Sequence, residues 1–594
     1  MSWVGQCESE GMSRCVPILF VLLLMSGVTG LRAQTWDGGG TDNFWGTKKN
    51  WSPNTTPGFT ATTDLTFAGS VRTTPDMNGS RTVNSVTFAA GAAGFSLLGA
   101  NGSNNETLTF SGTGAGITQA SVNGQTLTMN RISWGAAATI TTSGAGALTM
   151  GDGTATSGKF YGTGNLTKTG TGGAVVLNGN NANWTGALAI NQGSVEARTS
   201  GSALGGGAGA TTVASGSALH LGTGGLTFGE NLTLAGDGPG ATGALRNVAS
   251  TGTNVVSGTV ALSADARVAA DAGGTLVLSG DVSGAGRTVT AAGAGNISVS
   301  GQIATGTGGL VKEGAGELRL TSPIGNTFTG ATVITAGSIV TAASNQFNNA
   351  AAMSVGNGTL LSLNDFTQTV GSLSGGGTVD FGAGGTGQLV LSGGVGLFDG
   401  VFTGTGELVI RAGATLTLGT NFNAPNLTIT LAGGTLALNG TTATFGDLHI
   451  TGDSLLDFGN TTASVLTVGD VAFQNSGLQL SIQNWVNLSD YFYALNFTGV
   501  TPDVRGAAPQ NQVVFTGFSG NSTAWQSIDK QLTPVPEPGV YGAVLLAAAV
   551  ALVAGRRWGR ARRSARSGAR RDGLRPAPGG AKSWGRGSRR GFSA

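Results

Sequence analysis

The bursts Thr107-Leu108-Thr109-Phe110, Thr275-Leu276-Val277-Leu278 and Thr415-Leu416-Thr417-Leu418 set the strongest limit on what this chain can become. Each alternates apolar with mostly polar residues over a few positions, and glycine-rich sequence follows. A period of two puts the apolar side chains on one face of an extended strand, and segments this short cannot supply the apolar stripe of a helix. The body is expected to be short, half-buried strands joined by sharp turns.

Glycine content tests that expectation. The chain has 106 glycines in 594 residues without a Gly-X-Y period, which excludes collagen and by itself suggests low complexity. Hydrophobic residues nevertheless make up 39% and the formal net charge is +2, whereas disordered chains lack apolar residues and carry excess charge. An ordered β-protein follows. The only cysteines, Cys7 and Cys15, lie at the extreme N-terminus, so the body has neither a disulfide nor a thiolate metal site. Repetitive packing and backbone hydrogen bonds must hold it.

Both ends read as addresses. Arg14 precedes the apolar run Val16 to Met25, and Leu31-Arg32-Ala33 follows. This pattern predicts a signal peptide over residues 1–33, read by the Sec translocon and cleaved between Ala33 and Gln34. Glu8 and Glu10 suit such a leader poorly, so initiation at Met12 is expected. At the other end, residues 539–555 are uncharged and apolar, and Arg556, Arg557 and Arg560 follow at once. That arrangement predicts a membrane-spanning helix whose C-terminal end is held inside by positive charge. The basic tail, residues 564–594, is expected to be disordered. It has no accompanying recognition module, so it is read as fixing topology and not as binding nucleic acid.

The order Pro536-Glu537-Pro538, apolar helix, arginine cluster over residues 534–563 resembles the PEP-CTERM sorting signal. The resemblance implies recognition at Pro536, Glu537 and Pro538 by an exosortase, a membrane-embedded transpeptidase, during delivery to the cell surface. The sequence departs from that pattern in the long stretch from Arg566 to Ala594, since members of the family end soon after the arginines.

The body repeats itself. Gly164-Asn165-Leu166-Thr167-Lys168-Thr169-Gly170 aligns with Gly308-Gly309-Leu310-Val311-Lys312-Glu313-Gly314, and Asn183-Trp184-Thr185-Gly186 with Thr327-Phe328-Thr329-Gly330. Ile190-Asn191-Gln192-Gly193-Ser194-Val195 then aligns with Ile334-Thr335-Ala336-Gly337-Ser338-Ile339, all without a gap. These units, residues 162–197 and 307–341, resemble the autotransporter-associated β-strand repeat. The resemblance implies an all-β, right-handed parallel β-helix over residues 162–344, flanked by an N-terminal β region at 34–161 and a second solenoid segment with its cap at 345–533; a β-sandwich array is the competing fold, which periodicity alone does not exclude. About twenty rungs spaced ~4.8 Å apart would reach on the order of 100 Å.

No catalytic constellation is legible. His220 and His449 sit in strand-like runs and are expected to point outward, without the converging partners of a nucleophile relay or zinc site. Asp447, Asp453 and Asp457 form one acidic group and Asp37 with Asp42 another; both are read as turn caps or solvated positions. Gly112-Thr113-Gly114-Ala115-Gly116 lacks the Lys-Ser/Thr of a phosphate loop and reads as a turn. Trp36, Trp45 and Trp51 near one end, and Trp485, Tyr491, Phe492 and Tyr493 near the other, are first assigned to end caps and second to glycan contact. The expectation is thus a non-enzymatic surface or extracellular-matrix structural and adhesive protein with no cofactor or metal. It would be membrane-anchored before display, with extracellular polysaccharide as a candidate partner. A secreted polysaccharide-binding β-helix or a polysaccharide lyase or hydrolase is the alternative. An autotransporter passenger is disfavoured by the helix and arginines at the C-terminal end.

Overall fold

Alternation in the sequence becomes alternation in burial. In Asp64–Phe67 and Thr107–Phe110 the apolar residues are buried and the polar ones half-exposed. No strand of this length is stable alone, so each must pair on both edges. A computed structural model describes residues 34–99, 106–154, 158–460, 462–498, 512–518, 523–526, 529–534 and 550–551. It shows an all-β, parallel β-solenoid of about 19 turns. The expected signal peptide with Ala33, the Pro536-Glu537-Pro538 segment, Arg556, Arg557, Arg560 and the basic tail lie outside the described residues, as does the stretch 539–555 except Val550 and Ala551. Among the described residues, no helix is long and apolar enough to cross a membrane.

Most turns lay one strand on each of three sides, while the turn through Leu310–Lys312 and Glu317–Leu320 has strands on two. The first side stacks Asp64–Phe67, Ser85–Phe88, Gly116–Gln119, Ala138–Thr142, Leu166–Thr169 and Leu188–Ile190, all parallel. On the second side lie Gln125–Leu127, Leu148–Met150, Val175–Leu177, Ser194–Ala197, Ala218–Leu221 and Leu245–Asn247. Gly252–Val256, Gly274–Leu278, Asn296–Val299, Glu317–Leu320 and Ser338–Thr341 belong to the third. Strand pairing continues across residues 161–162 and, on the second and third sides, across 344–345, so the N-terminal β region is part of the same stack. In-register columns such as Leu276, Ile297, Leu318 and Ile339 form the thin core. Each such side chain contributes roughly 1.5–3 kcal/mol by leaving water.

The ends are closed by antiparallel pairs. Trp51–Ser52 runs antiparallel to Gln34–Trp36, and Gln531–Pro534 runs antiparallel to both Tyr491–Thr498 and Thr523–Gln526.

The repeated motif has a physical explanation centred on its lysine. Lys168 and Lys312 are both 1% exposed, on strands where the alternation turns their side chains inward. A buried ammonium needs acceptors. Lys168 Nζ donates to the carbonyls of Thr169 (2.9 Å), Gly170 (2.7 Å) and, one turn on, Gln192 (3.0 Å). Lys312 Nζ repeats this with Glu313 (2.7 Å), Gly314 (2.7 Å) and Ala336 (3.3 Å). Burial pulls both lysines down to about 8, and for Lys312 the charge of Glu313 acts in the opposite direction. Each ammonium thus stitches two successive turns together. The glycine beginning the closing strand is also accounted for: Gly193 and Gly337 have φ +72°, and a Cβ there would stand 3.0 Å and 2.8 Å from the lysine nitrogen. The aromatic of the motif is buried in both copies, with Trp184 Nε1 donating to Gly164 O at 2.8 Å. The two copies nevertheless occupy different sides of the solenoid, since Leu166–Thr169 stacks in the first and Leu310–Lys312 in the second.

One corner is held by buried amides. Gln346 is fully enclosed; its Nε2 donates to Ser322 O (2.8 Å) and its Oε1 accepts from Ser322 N (3.2 Å). Gln368 takes the next position, its Oε1 accepting from Gln346 N (2.8 Å) and its Nε2 donating to Ala343 O (2.7 Å).

Candidate functional site

The aromatic groups separate cleanly. Trp36, Trp45 and Trp51 are all fully buried, with Trp51 edge-on to Trp36 at 5.2 Å and to Trp45 at 6.2 Å. They are the N-terminal cap, and no face of these rings is open to a sugar. At the other end, Phe492 is fully buried and Trp485 packs edge-on against Phe458 and Phe515 at 4.9 and 4.8 Å. Only Tyr491 and Tyr493 of that group turn outward.

The acidic groups are occupied by backbone. Asp447 accepts from Asp470 N, Asp453 from Gln479 N, and Asp457 from Gly459 N and the Asn484 amide. Asp37 accepts from Gly39 N. Asp42 accepts from Thr47, Phe44 N and Asn50, and these bonds, led by that from Thr47, hold its carboxyl below the usual range. No group of three or more His, Cys, Asp or Glu among the described residues could hold a metal ion.

Charge gathers in one place instead. On the second side Glu196, His220 and Arg246 stand in register on successive turns, followed by Ala269 and Ala292. Four of the five ion pairs among the described residues lie on this strip and its adjoining corner: Arg198–Glu196, Arg246–Asp271, Arg267–Asp237 and Arg267–Glu313. Arg246 grips Asp271 through two bonds of 2.8 and 3.0 Å, the geometry that gives an arginine–carboxylate pair directional strength. The Arg246–Asp271 and Arg267–Glu313 pairs border a shallow groove that Ala269, Ala292 and Gly293 also line.

His220 lies in the outward column, as the alternation predicts, but its neighbours enclose it: Nε2 is buried without a hydrogen-bond partner. Burial first, and the Arg246 guanidinium second, keep its pKa below the ordinary histidine value, so it is neutral at pH 7. Glu196, Asp237, Asp271 and Glu313 each pair with an arginine. The strip therefore resembles a set of closed clasps, one within a turn and the others between turns, more than an acid–base pair. His449 occupies the corresponding outward position between Thr430 and Ala472.

Glu230 escapes the sequence reading altogether. It is 3% exposed, its Oε1 accepts from the Thr211 hydroxyl at 2.8 Å, and burial pushes it up to about 7. Nothing in the sequence marks it, because a lone glutamate beside a turn ordinarily faces water. The sign of its effect on stability follows from proton binding. Between pH 4.5 and 7 the folded chain holds this proton and the unfolded chain does not, so Glu230 makes stability fall as pH rises through that window. Glu230→Gln is expected to gain roughly 3 kcal/mol relative to wild type on going from pH 4.5 to pH 8. Denaturant midpoints of both chains at the two pH values test this; a difference that does not change with pH would mean the carboxyl ionises freely.

The chain matches no protein-family model, no curated protein and no solved structure.

Proposed function

We propose that the protein is an exported, non-enzymatic component of the cell surface or extracellular matrix, acting as a stiff spacer with adhesive faces. The observation that carries this reading is an outward column on the first side: Thr35, Thr66, Thr87, Thr118, Thr141 and Thr169 follow one another in register on successive turns. Within it, Thr141 and Thr169 share a hydroxyl hydrogen bond of 2.9 Å. Such a column gives a long, uncharged, hydroxyl-bearing surface, suited to extended contact and without the convergence of groups a reaction needs. A stack of about 19 turns at ~4.8 Å extends on the order of 90 Å, enough to hold that surface away from a membrane.

Delivery belongs to the same proposal. The leader cleaved between Ala33 and Gln34 would take the chain through the Sec translocon. Residues 539–555 with Arg556, Arg557 and Arg560 would hold it in the membrane until an exosortase-type transpeptidase acts near Pro536-Glu537-Pro538. The right-handed winding implied by the repeat resemblance is part of this reading too.

One experiment addresses delivery directly. With one epitope in a body turn and another after Ala594, fractionated native cells are expected to show the body epitope at the surface and the tail epitope lost. Both epitopes remaining together in the inner membrane would sink the sorting reading and leave an anchored protein. The alternative, a polysaccharide-degrading β-helix, predicts metal-dependent cleavage abolished by replacing Asp453 or Asp457. Both carboxylates are engaged as turn acceptors, which favours the structural reading.

A further inference from the structure

Tyr491 and Tyr493 flank the buried Phe492 on the last long strand and project outward with their rings parallel, at an interplanar angle of 1° and centroids 5.9 Å apart. Tyr493 is in register with Thr467, and Thr467 with Thr444, so the three side chains form one line across successive turns. Thr444 and Thr467 form one wall of a groove along the corner where two sides meet, and Thr428 and Asp447 line the other. Gly446 and Gly469 occupy the corner between the walls. Leu495 of the same strand lines the groove, and the Tyr493 ring stands one turn beyond Thr467 with Tyr491 beside it, so apolar ring faces adjoin a groove edged by hydroxyls, an amide at Asn426 and a carboxylate.

Charge selects among the chains that could lie there. No arginine or lysine lines the groove among the described residues. Asp447 stands on its wall, and Glu407 is in register with Thr428 one turn back. A polyanion such as a uronic acid polymer would meet uncompensated like charge, whereas an uncharged sugar chain would not.

We propose that this groove binds a neutral polysaccharide, with Tyr491 and Tyr493 stacking on sugar rings and Thr428, Thr444, Thr467 and the Asp447 oxygen not engaged by Asp470 N taking the sugar hydroxyls. This deepens the adhesive reading by assigning it a site and a ligand class, but its test is independent of how cells deliver the chain. The test is affinity electrophoresis of the purified full-length chain in detergent, through gels containing mixed-linkage β-glucan, galactomannan or polygalacturonate. Retardation is expected in at least one neutral polymer, and any retardation in polygalacturonate is expected to be unchanged by the tyrosine substitutions, because the arginines from Arg556 onward hold a polyanion without the groove. The Tyr491→Ala/Tyr493→Ala chain is expected to bind about tenfold more weakly, and the double Phe chain as wild type, because the ring and not the hydroxyl stacks. Thr467→Arg, an outward substitution that crowds the groove wall, is expected to reduce binding as well and keeps the test decisive if the alanine pair disturbs folding. Retardation in none of the neutral polymers, retardation in polygalacturonate that the alanine pair abolishes, or unchanged binding of neutral polymers by folded alanine and arginine variants would overturn the proposal. Loss of binding by the Ala pair with retention by the Phe pair would support it even if the sorting experiment failed.

Discussion

Replacing Lys312 by methionine is expected to lower the stability of the central turns by roughly 2–4 kcal/mol, although methionine fills nearly the same space. The substitution removes the buried charge, which alone would help, but it strands the carbonyls of Glu313, Gly314 and Ala336 that the ammonium now holds. Stranded buried acceptors cost about 1–3 kcal/mol each when nothing replaces the donor, so the loss outweighs the gain. Because each turn touches chiefly its neighbours, the damage should be local. Amide exchange should accelerate in Val289–Gly293, Leu310–Lys312 and Thr332–Ile334 while Leu427–Ala432 keeps its protection. Lys168→Met should do the same to Ala138–Thr142 and Leu188–Ile190. If exchange near Lys312 is unchanged, the ammonium contributes no more than its aliphatic stem.

Trp51→Ala is expected to cost about 3–5 kcal/mol, the largest effect of any single substitution considered, and to act on the N-terminal end alone. Trp51 is fully buried against Trp36, Trp45 and Phe67, and its Nε1 donates to Trp45 O at 2.8 Å. It also belongs to the antiparallel strand that closes the first turn. Removing the ring opens a cavity at the one place where the core has no further turn to lean on. Strands Asp64–Phe67 and Ser85–Phe88 should then fray, seen as faster exchange and early proteolysis, with the turns beyond Leu188 unaffected. Loss of protection spread evenly along the chain would instead mean that the solenoid unfolds as one unit.

How far these features could be read in advance depends on the distance over which they are encoded. Strand alternation is local, so Thr107–Phe110 and Ala414–Leu418 are legible from their own residues. The tryptophan cap is legible because three large rings near one end of a stacked protein have little else to do. The split of Tyr491 and Tyr493 from Phe492 follows from the same period of two, but the groove beside them does not. It is assembled from turns separated by more than twenty residues, and nothing local fixes which residues face one another. The strip of Glu196, His220 and Arg246 is hidden for the same reason. Lysine burial runs against the ordinary preference of that residue, and only the repetition of Lys168 and Lys312 with glycines at matching offsets hints at it.

Sequential stacking also decides how the molecule yields to tension. Neighbouring turns lie only 22 residues apart at Asn165 and Ala187, and the strands of one turn lean on the next along the whole length. Pulled from its C-terminal end, such a chain surrenders its outermost coil before the one beneath feels the load. Each released coil adds on the order of 75 Å of slack. The coils behind stay wound, so the chain lengthens after the first rupture without parting, and under the adhesive role proposed above a cell would be let out on a lengthening line before it is let go.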